Sequence, residues 1–205
     1  MSTAIKYIVG LLIIGLIGYN SIYFKKLSSL KADAKSFDAT AYAEDLLGNK
    51  LKPILTKAIN IDFLLTQLDT LPAPLFKKYG HSLTIGSSKF FMVKGRGRIT
   101  NIDDSGVTVK TTGNNELKIA TEYIFGNGIR DATGVIKLND FSNTTDLSNI
   151  SSAINKIIRK DVVPPFKAKA KIEDQIEFTG AIELNQAHLD LSDIELLPVS
   201  LKIMH

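Results

Sequence analysis

Three regimes of hydrophobic and polar alternation divide the chain. The first, Tyr7 to Phe24, is an 18-residue run without a charge (YIVGLLIIGLIGYNSIYF), apolar all round. At ~1.5 Å per residue it spans ~27 Å, about the hydrocarbon thickness of a bilayer. Tyr7 at one end and Tyr19, Tyr23 and Phe24 near the other suit interfacial positions. A buried core helix would carry a polar face. A cleaved signal peptide would be followed by a small-x-small site, whereas Tyr23-Phe24-Lys25-Lys26 follows here. The pattern predicts a transmembrane anchor over residues 1–26 and a polar juxtamembrane linker over 27–36.

The second regime is helical and occupies 37–80. Asp38 is placed to cap a helix running to about Ile59, whose apolar stripe is Tyr42, Leu46, Leu51, Ile54, Leu55 and Ala58. Pro53 predicts a kink or break near Lys52. Two short helices follow, about Asp62–Leu68 and Pro74–Tyr79, the latter closed by Gly80 as a left-handed cap.

From Lys89 the period becomes two. A long first strand covers Lys89–Asp103, with Gly95 and Gly97 permitting a bulge or sharp coil. Turns at Asp104-Ser105-Gly106 and Gly113-Asn114-Asn115 lead into strands Val107–Thr111 and Leu117–Tyr123. A fourth strand is predicted at Gly134–Leu138, then a helix capped by Asp146 or Ser148 and running to Arg159. Phe166–Ile172 alternates and pairs as a hairpin with Gln175–Leu184. The last strand, Ile194–Ile203, contains Pro198 and so reads as an edge. The order predicts one soluble α+β domain over 37–205, helical in 37–80 and β-rich in 88–205. Its β part fits an antiparallel OB-like Greek-key barrel with one inserted helix, behind an N-terminal transmembrane helix. Other small antiparallel α+β folds fit the same order.

Charge sharpens the first regime. Residues 1–35 hold Lys6, Lys25, Lys26, Lys31 and Lys35 against Asp33 alone; of 25 basic and 21 acidic residues, 20 of each remain beyond them. The basic excess is therefore a membrane-flank signal, and a formally neutral domain argues against nucleic acid. Counted by positive-inside, Lys25, Lys26 and Lys31 favour a cytoplasmic domain. Cysteine is absent, which removes disulfides, thiol nucleophiles and a lipidation cysteine.

Little points to catalysis. The three histidines are scattered singly, so no metal and no cofactor is expected. The densest polar stretch is Gly126–Asn143 (GNGIRDATGVIKLNDFSN), with Arg130-Asp131 between glycines and Asn139-Asp140-Phe141-Ser142-Asn143 beyond. Polar residues on glycine-flanked loops are where binding sites concentrate. Arg130, Asp131, Asn139, Asp140 and Asn143 are the candidate ligand or partner residues. The structural alternative has Arg130 pairing internally with an acid, and Asp140 and Asn143 bonding turn backbone.

The same residues carry a resemblance. FDATAYAEDLLGNKLKPIL (37–55), NIDFLLTQL with KKYG (60–80), KGRGRITNID (94–103), IRDATGVIKLNDFSN (129–143), SSAIN (151–155) and FTGAIELN with IELLPVSL (178–201) resemble, in order, the domain-of-unknown-function family 2291. The resemblance implies a predicted periplasmic lipoprotein accompanying sugar ABC-transport components. The turn before Arg130 departs from the family's Gly-Pro-rich pattern, and the uncleaved helix would replace the missing lipid. The expectation is then a non-enzymatic accessory or binding protein. It sits on the inner membrane, faces the periplasm, and meets ABC-transporter components or a sugar-binding protein. Two alternatives are an anchored assembly factor without a small-molecule ligand and, remotely, a hydrolase using Asp131 and Asp140 at ~5–9.5 Å.

Overall fold

The computed structural model describes residues 3–21, 37–141 and 143–204, in two compact units, Met1–Phe37 and Asp38–His205. In the first, helix α1 spans Thr3–Ser21 and exposes Tyr7, Ile8, Leu11, Leu12, Ile14 and Ile17. The described part of the charge-free run, 7–21, is ~22 Å long. Among the described residues no helix is long and apolar enough to cross a membrane. Residues 22–24, the Lys25-Lys26 flank and the linker predicted at 27–36 lie outside the described residues.

The second unit opens with α2 (Ala39–Asp45), whose first turn is capped by Asp38: its Oδ1 accepts from Thr40 N and Ala41 N, both at 3.0 Å. Pro53 has no amide hydrogen to offer the carbonyl four residues back. The helix accordingly loosens into a π-turn at Leu46–Lys50 before continuing as α3 (Leu51–Lys57). Asn60 caps α4 (Ile61–Leu68) through Phe63 N at 2.9 Å, and α5 spans Pro72–Tyr79. Gly80, expected in a left-handed cap, is extended instead (φ −85°, ψ 128°). A Cβ there would lie 2.7 Å from Phe76 O, so the glycine answers crowding.

The strands close into a ring. After the two-residue β1 (Ile59–Asn60) come β2 (Ser88–Ile102), β3 (Gly106–Thr111), β4 (Glu116–Ala120), β5 (Gln175–Asn185) and β6 (Glu195–Ile203). β2 pairs antiparallel with β3, β3 with β4, β4 parallel with β6, β6 antiparallel with β5, and β5 antiparallel with β2 over its whole length. This is the five-stranded OB-type barrel, with β1 added parallel to β2 at Val93 and Lys94. β6 pairs in register with β4 at only two residues, ending at Leu196, so the buried Pro198 falls where no strand needs its amide, as an edge proline should. The irregularity in β2 lies between Ile99 and Asn101. Gly95 and Gly97 instead leave room for Ile61 and Phe178, and for Val109 and the Lys110 backbone.

Between β4 and β5 the structure departs from the alternation. Gly128–Ala132 forms α6, and Gly134–Leu138 is not a strand. Thr144–Ile157 is α7, capped by Asn143, whose Oδ1 accepts from Asp146 N at 2.9 Å, rather than by Asp146 or Ser148. A π-turn, Ile158–Val162, extends it into α8 (Val163–Lys167). The expected strand Phe166–Ile172 is therefore absent: Pro164 and Pro165 preset φ for a helix start, and the Lys-Ala alternation lies on α8 and the turns after it. β5 pairs with β2 and β6 instead.

Two cores flank one wall. Phe91, Val93, Ile99, Val109, Ile119, Phe178 and Leu196 fill the barrel with Leu64, Leu68 and Phe76. Phe90, Met92, Ala181 and Val199 face outward onto Leu46, Ile54, Ile129, Ile150 and Ile154. Burial on both faces is why Phe90–Val93 reads as a continuous apolar run.

Candidate functional site

Helix α6 is buried along its whole length. Gly128 sets its position, because a Cβ there would lie 2.9 Å from Leu197 Cδ1. That placement sinks Arg130 and Asp131 into the domain, with side chains 7% and 0% exposed. Asp131 Oδ1 accepts from Arg130 Nε at 2.7 Å and lies 2.7 Å from Nη2 as an ion pair. Its Oδ2 accepts from Asn127 Nδ2 at 2.7 Å and Leu83 N at 3.3 Å. Arg130 Nη1 donates to Leu147 O at 3.1 Å. The pair thus ties α6 to α7 and to the segment before β2, through partners that are all internal to the domain. His81 lies against Gly134, whose φ of +66° and missing Cβ bring backbone onto the imidazole. Burial lowers the His81 pKa from its ordinary value, and the Asp131 charge works in the opposite direction.

The other three candidates sit on the exposed turn that follows. Asp140 Oδ2 accepts from Lys137 N at 3.3 Å, Asn143 caps α7, and Asn139 is exposed. The turn docks through Phe141, edge-on to Tyr42 of α2 with centroids 5.6 Å apart. Burial first, and the Asp140 carboxylate after it, raise the Tyr42 pKa. Arg130 and Asp131 are brought together; neither Asp131 nor Asp140 lines the cleft that Arg130 borders.

That cleft, of about 810 Å³, is walled by one face of α7. Thr144, Leu147, Ser148, Ser151, Ser152, Asn155 and Arg159 recur at helical spacing and all line it. The opposite wall is Leu83, Thr84, Ser88, Phe90 and Glu183, and the loop Phe125-Gly126-Asn127 with Arg130 closes one side. Ser148 and Ser151 hydroxyls donate to Thr144 O and Leu147 O, leaving oxygen lone pairs as acceptors. Asn155 Nδ2 donates to Gly126 O at 2.9 Å, which orients its amide. Arg159 Nη1 donates to Ile124 O, and its guanidinium lies 4.7 Å from the ring centroid of Phe125. Phe125 itself is 61% exposed.

The cleft was not singled out from the sequence, although its signal is there. Polar residues at 144, 148, 151, 152, 155 and 159 form a second stripe beside the apolar stripe Ile150, Ile154, Ile157 and Ile158. Inspection for an inner face alone passes over it. Among the described residues no group of three or more His, Cys, Asp or Glu is placed to hold a metal ion.

Comparison with known proteins agrees with this architecture. An OB-fold protein from Thermotoga maritima, solved by crystallography, superimposes with a TM-score of 0.73 at 28% identity, over 83% of this chain and 100% of that one. No curated protein matches the chain. The family model described as predicted periplasmic lipoprotein (DUF2291) matches residues 12–202. With that match covering nearly the whole length, the chain belongs to the DUF2291 family of predicted periplasmic lipoproteins.

Proposed function

We propose that the chain is a membrane-tethered, non-catalytic periplasmic binding module whose α7 cleft captures a small polyhydroxylated ligand, in the service of carbohydrate uptake. The observation that carries this is the cleft itself: about 810 Å³, within the usual range for small-molecule sites. Most of its polar groups are hydroxyls and amides, several of them on the rigid backbone of α7, suited to exchanging hydrogen bonds with ligand hydroxyls. With no cysteine in the sequence to take a lipid, α1 and the residues after it serve as the anchor, fixed in the inner membrane. The family's periplasmic description outweighs the lysine count beyond Phe24. The partners this role implies are ABC-transporter components or a sugar-binding protein.

Two measurements on the full-length chain test it. A compartment-sensitive reporter fused after His205 is expected to report the periplasm; a cytoplasmic signal rejects the proposed setting. Melting of the detergent-solubilised chain across a panel of mono- and disaccharides is expected to show at least one stabilising sugar. Ser152→Trp, which fills the cleft from an exposed position on α7, should abolish that response. No response in the unaltered chain rejects the ligand.

A second reading, an anchored assembly factor without a ligand, is favoured by the wholly internal partners of Arg130 and Asp131. It predicts that Ser152→Trp leaves transport unchanged while the protein stays folded.

A further inference from the structure

The cleft contains two arginines in opposite states. Arg130 is neutralised by Asp131 and buried. Arg159 stands on the π-turn after α7, half-buried, with one nitrogen held by Ile124 O and its plane against Phe125. Among the described residues no carboxylate comes within ion-pairing distance of Arg159, although Glu183 lines the same cleft. A guanidinium whose orientation is fixed at both the backbone and the ring has lost much of the rotamer freedom that an ion pair must otherwise freeze. Its remaining donors make a planar fork, the shape that a carboxylate or a phosphate oxygen pair accepts.

The rest of the lining selects against a purely apolar anion. Thr84, Ser88, Thr144, Ser148 and Ser152 supply hydroxyls, and Asn155 an oriented amide. Glu183, on the far wall, accepts hydroxyl donors and repels a second negative charge. Phe125, largely exposed and backed by the cation, offers a flat apolar face for the C–H side of a ring.

We infer that the α7 cleft is selective for a monoanionic polyhydroxy carboxylate, a sugar acid rather than a neutral sugar, with Arg159 taking the carboxylate and Phe125 the ring face. This rests on the reading of the cleft as a polyol site and adds the charge of the ligand to it.

The test is a calorimetric titration of the full-length chain in detergent with matched pairs: D-glucose against D-glucuronate, and D-galactose against D-galacturonate. The acid of at least one pair is expected to bind about tenfold more tightly than its neutral partner, the value of a charge-assisted contact. The advantage should shrink as salt is raised, fall partway in Arg159→Lys, which keeps the charge but loses the fork, and vanish in Arg159→Gln. Should Arg159→Gln fail to fold, the salt series and Arg159→Lys decide. Neutral sugars that bind as well as the acids overturn the charge selectivity and leave the polyol site standing. If neither member of either pair binds, both readings fall. An acid preference that survives salt and both substitutions also overturns the assignment to Arg159.

Discussion

Arg130 and Arg159 lie on the wall of the same cleft, 29 positions apart in sequence, and they do opposite work. Arg130 is the residue a reader of motifs selects: an Arg-Asp pair between glycines in the densest polar stretch. In three dimensions its charge is spent within the fold, on Asp131 and on Leu147 O. Arg159 belongs to no conspicuous motif, yet it lines the cleft and pairs with no carboxylate among the described residues. A charged residue meant to hold the fold has its donors consumed at low exposure. One meant to meet a ligand is held in place but left with donors unspent. Local polarity does not separate the two cases; partner accounting does.

The comparison breaks first at Arg130. Arg130→Ala leaves the Asp131 carboxylate in an apolar setting with only Asn127 and Leu83 as donors. Removing one partner of a buried ion pair costs about 3–5 kcal/mol. Against a total stability of roughly 5–15 kcal/mol, that puts the variant near unfolding. Chemical denaturation followed by circular dichroism should show the loss. The double variant Arg130→Met with Asp131→Leu, which removes both charges, should recover most of it. A loss below about 1 kcal/mol for Arg130→Ala would mean that this arginine is not structural and would return it to the ligand site.

Asp62 supplies an intermediate case. From the first turn of α4 it takes Thr111 Oγ1, Thr112 Oγ1 at 3.0 Å, Gly113 N at 2.9 Å and Asn115 Nδ2 at 2.9 Å, clamping the β3–β4 turn. It resembles Asp131 in having its lone pairs filled but is only half-buried, so water replaces part of what a substitution removes. Asp62→Ala should cost about 1–3 kcal/mol, less than Arg130→Ala. Burial alone would raise the Asp62 pKa, but the bonds from Thr111, Asn115, Thr112 and Gly113 outweigh it and the value is lowered. A carboxyl with a depressed folded pKa stabilises fully above its unfolded value of about 3.9, and that contribution disappears as pH falls through the folded value. Asp103 and Asp190 are depressed as well, so the acid limb of the stability curve belongs to several groups. The difference between wild type and Asp62→Asn isolates this one: it should be largest above pH 5 and close on acidification. A difference independent of pH would mean the clamp does not depend on the charge.

The parts legible in the sequence are those governed by local rules. Asp38 as a cap, the turns at Ser105 and Asn114, the long β2 and Pro198 at an unpaired edge all follow from short-range sterics and hydrogen bonding, and the barrel follows from their order. The misread segments are those where tertiary contacts override the local pattern. Gly134–Leu138 looked like a strand because Val135, Ile136 and Leu138 are apolar, but Gly134 turns backward against His81 and only Ile136 is buried. Phe166–Ile172 alternates faultlessly, yet two prolines start a helix there and only Phe166 reaches the barrel core among the residues buried outright. In the candidate site, the Arg130-Asp131 pair stood out by composition. Whether its charges faced inward depended on α6, a five-residue helix with no periodic signal of its own. Arg159 was hidden because its partners, Ile124 O and Phe125, lie more than 30 positions upstream.

The smallest expected effect sharpens the comparison most. Arg159→Gln removes one hydrogen bond to Ile124 O and one stacking contact with an exposed ring, together about 1–2 kcal/mol at a half-exposed position. Among the described residues nothing charged is stranded by the change, since no carboxylate there pairs with Arg159. Fold stability, measured by the same denaturation as for Arg130→Ala, should therefore fall far less than it does there, and the acid-induced limb should be unaltered. Only ligand discrimination should move. If Arg159→Gln instead costs several kcal/mol, Arg159 is a second structural arginine, and the cleft has no cation to spare for a ligand. The small stability change and the binding change must occur together, because a residue built for a ligand is one the empty fold can nearly do without.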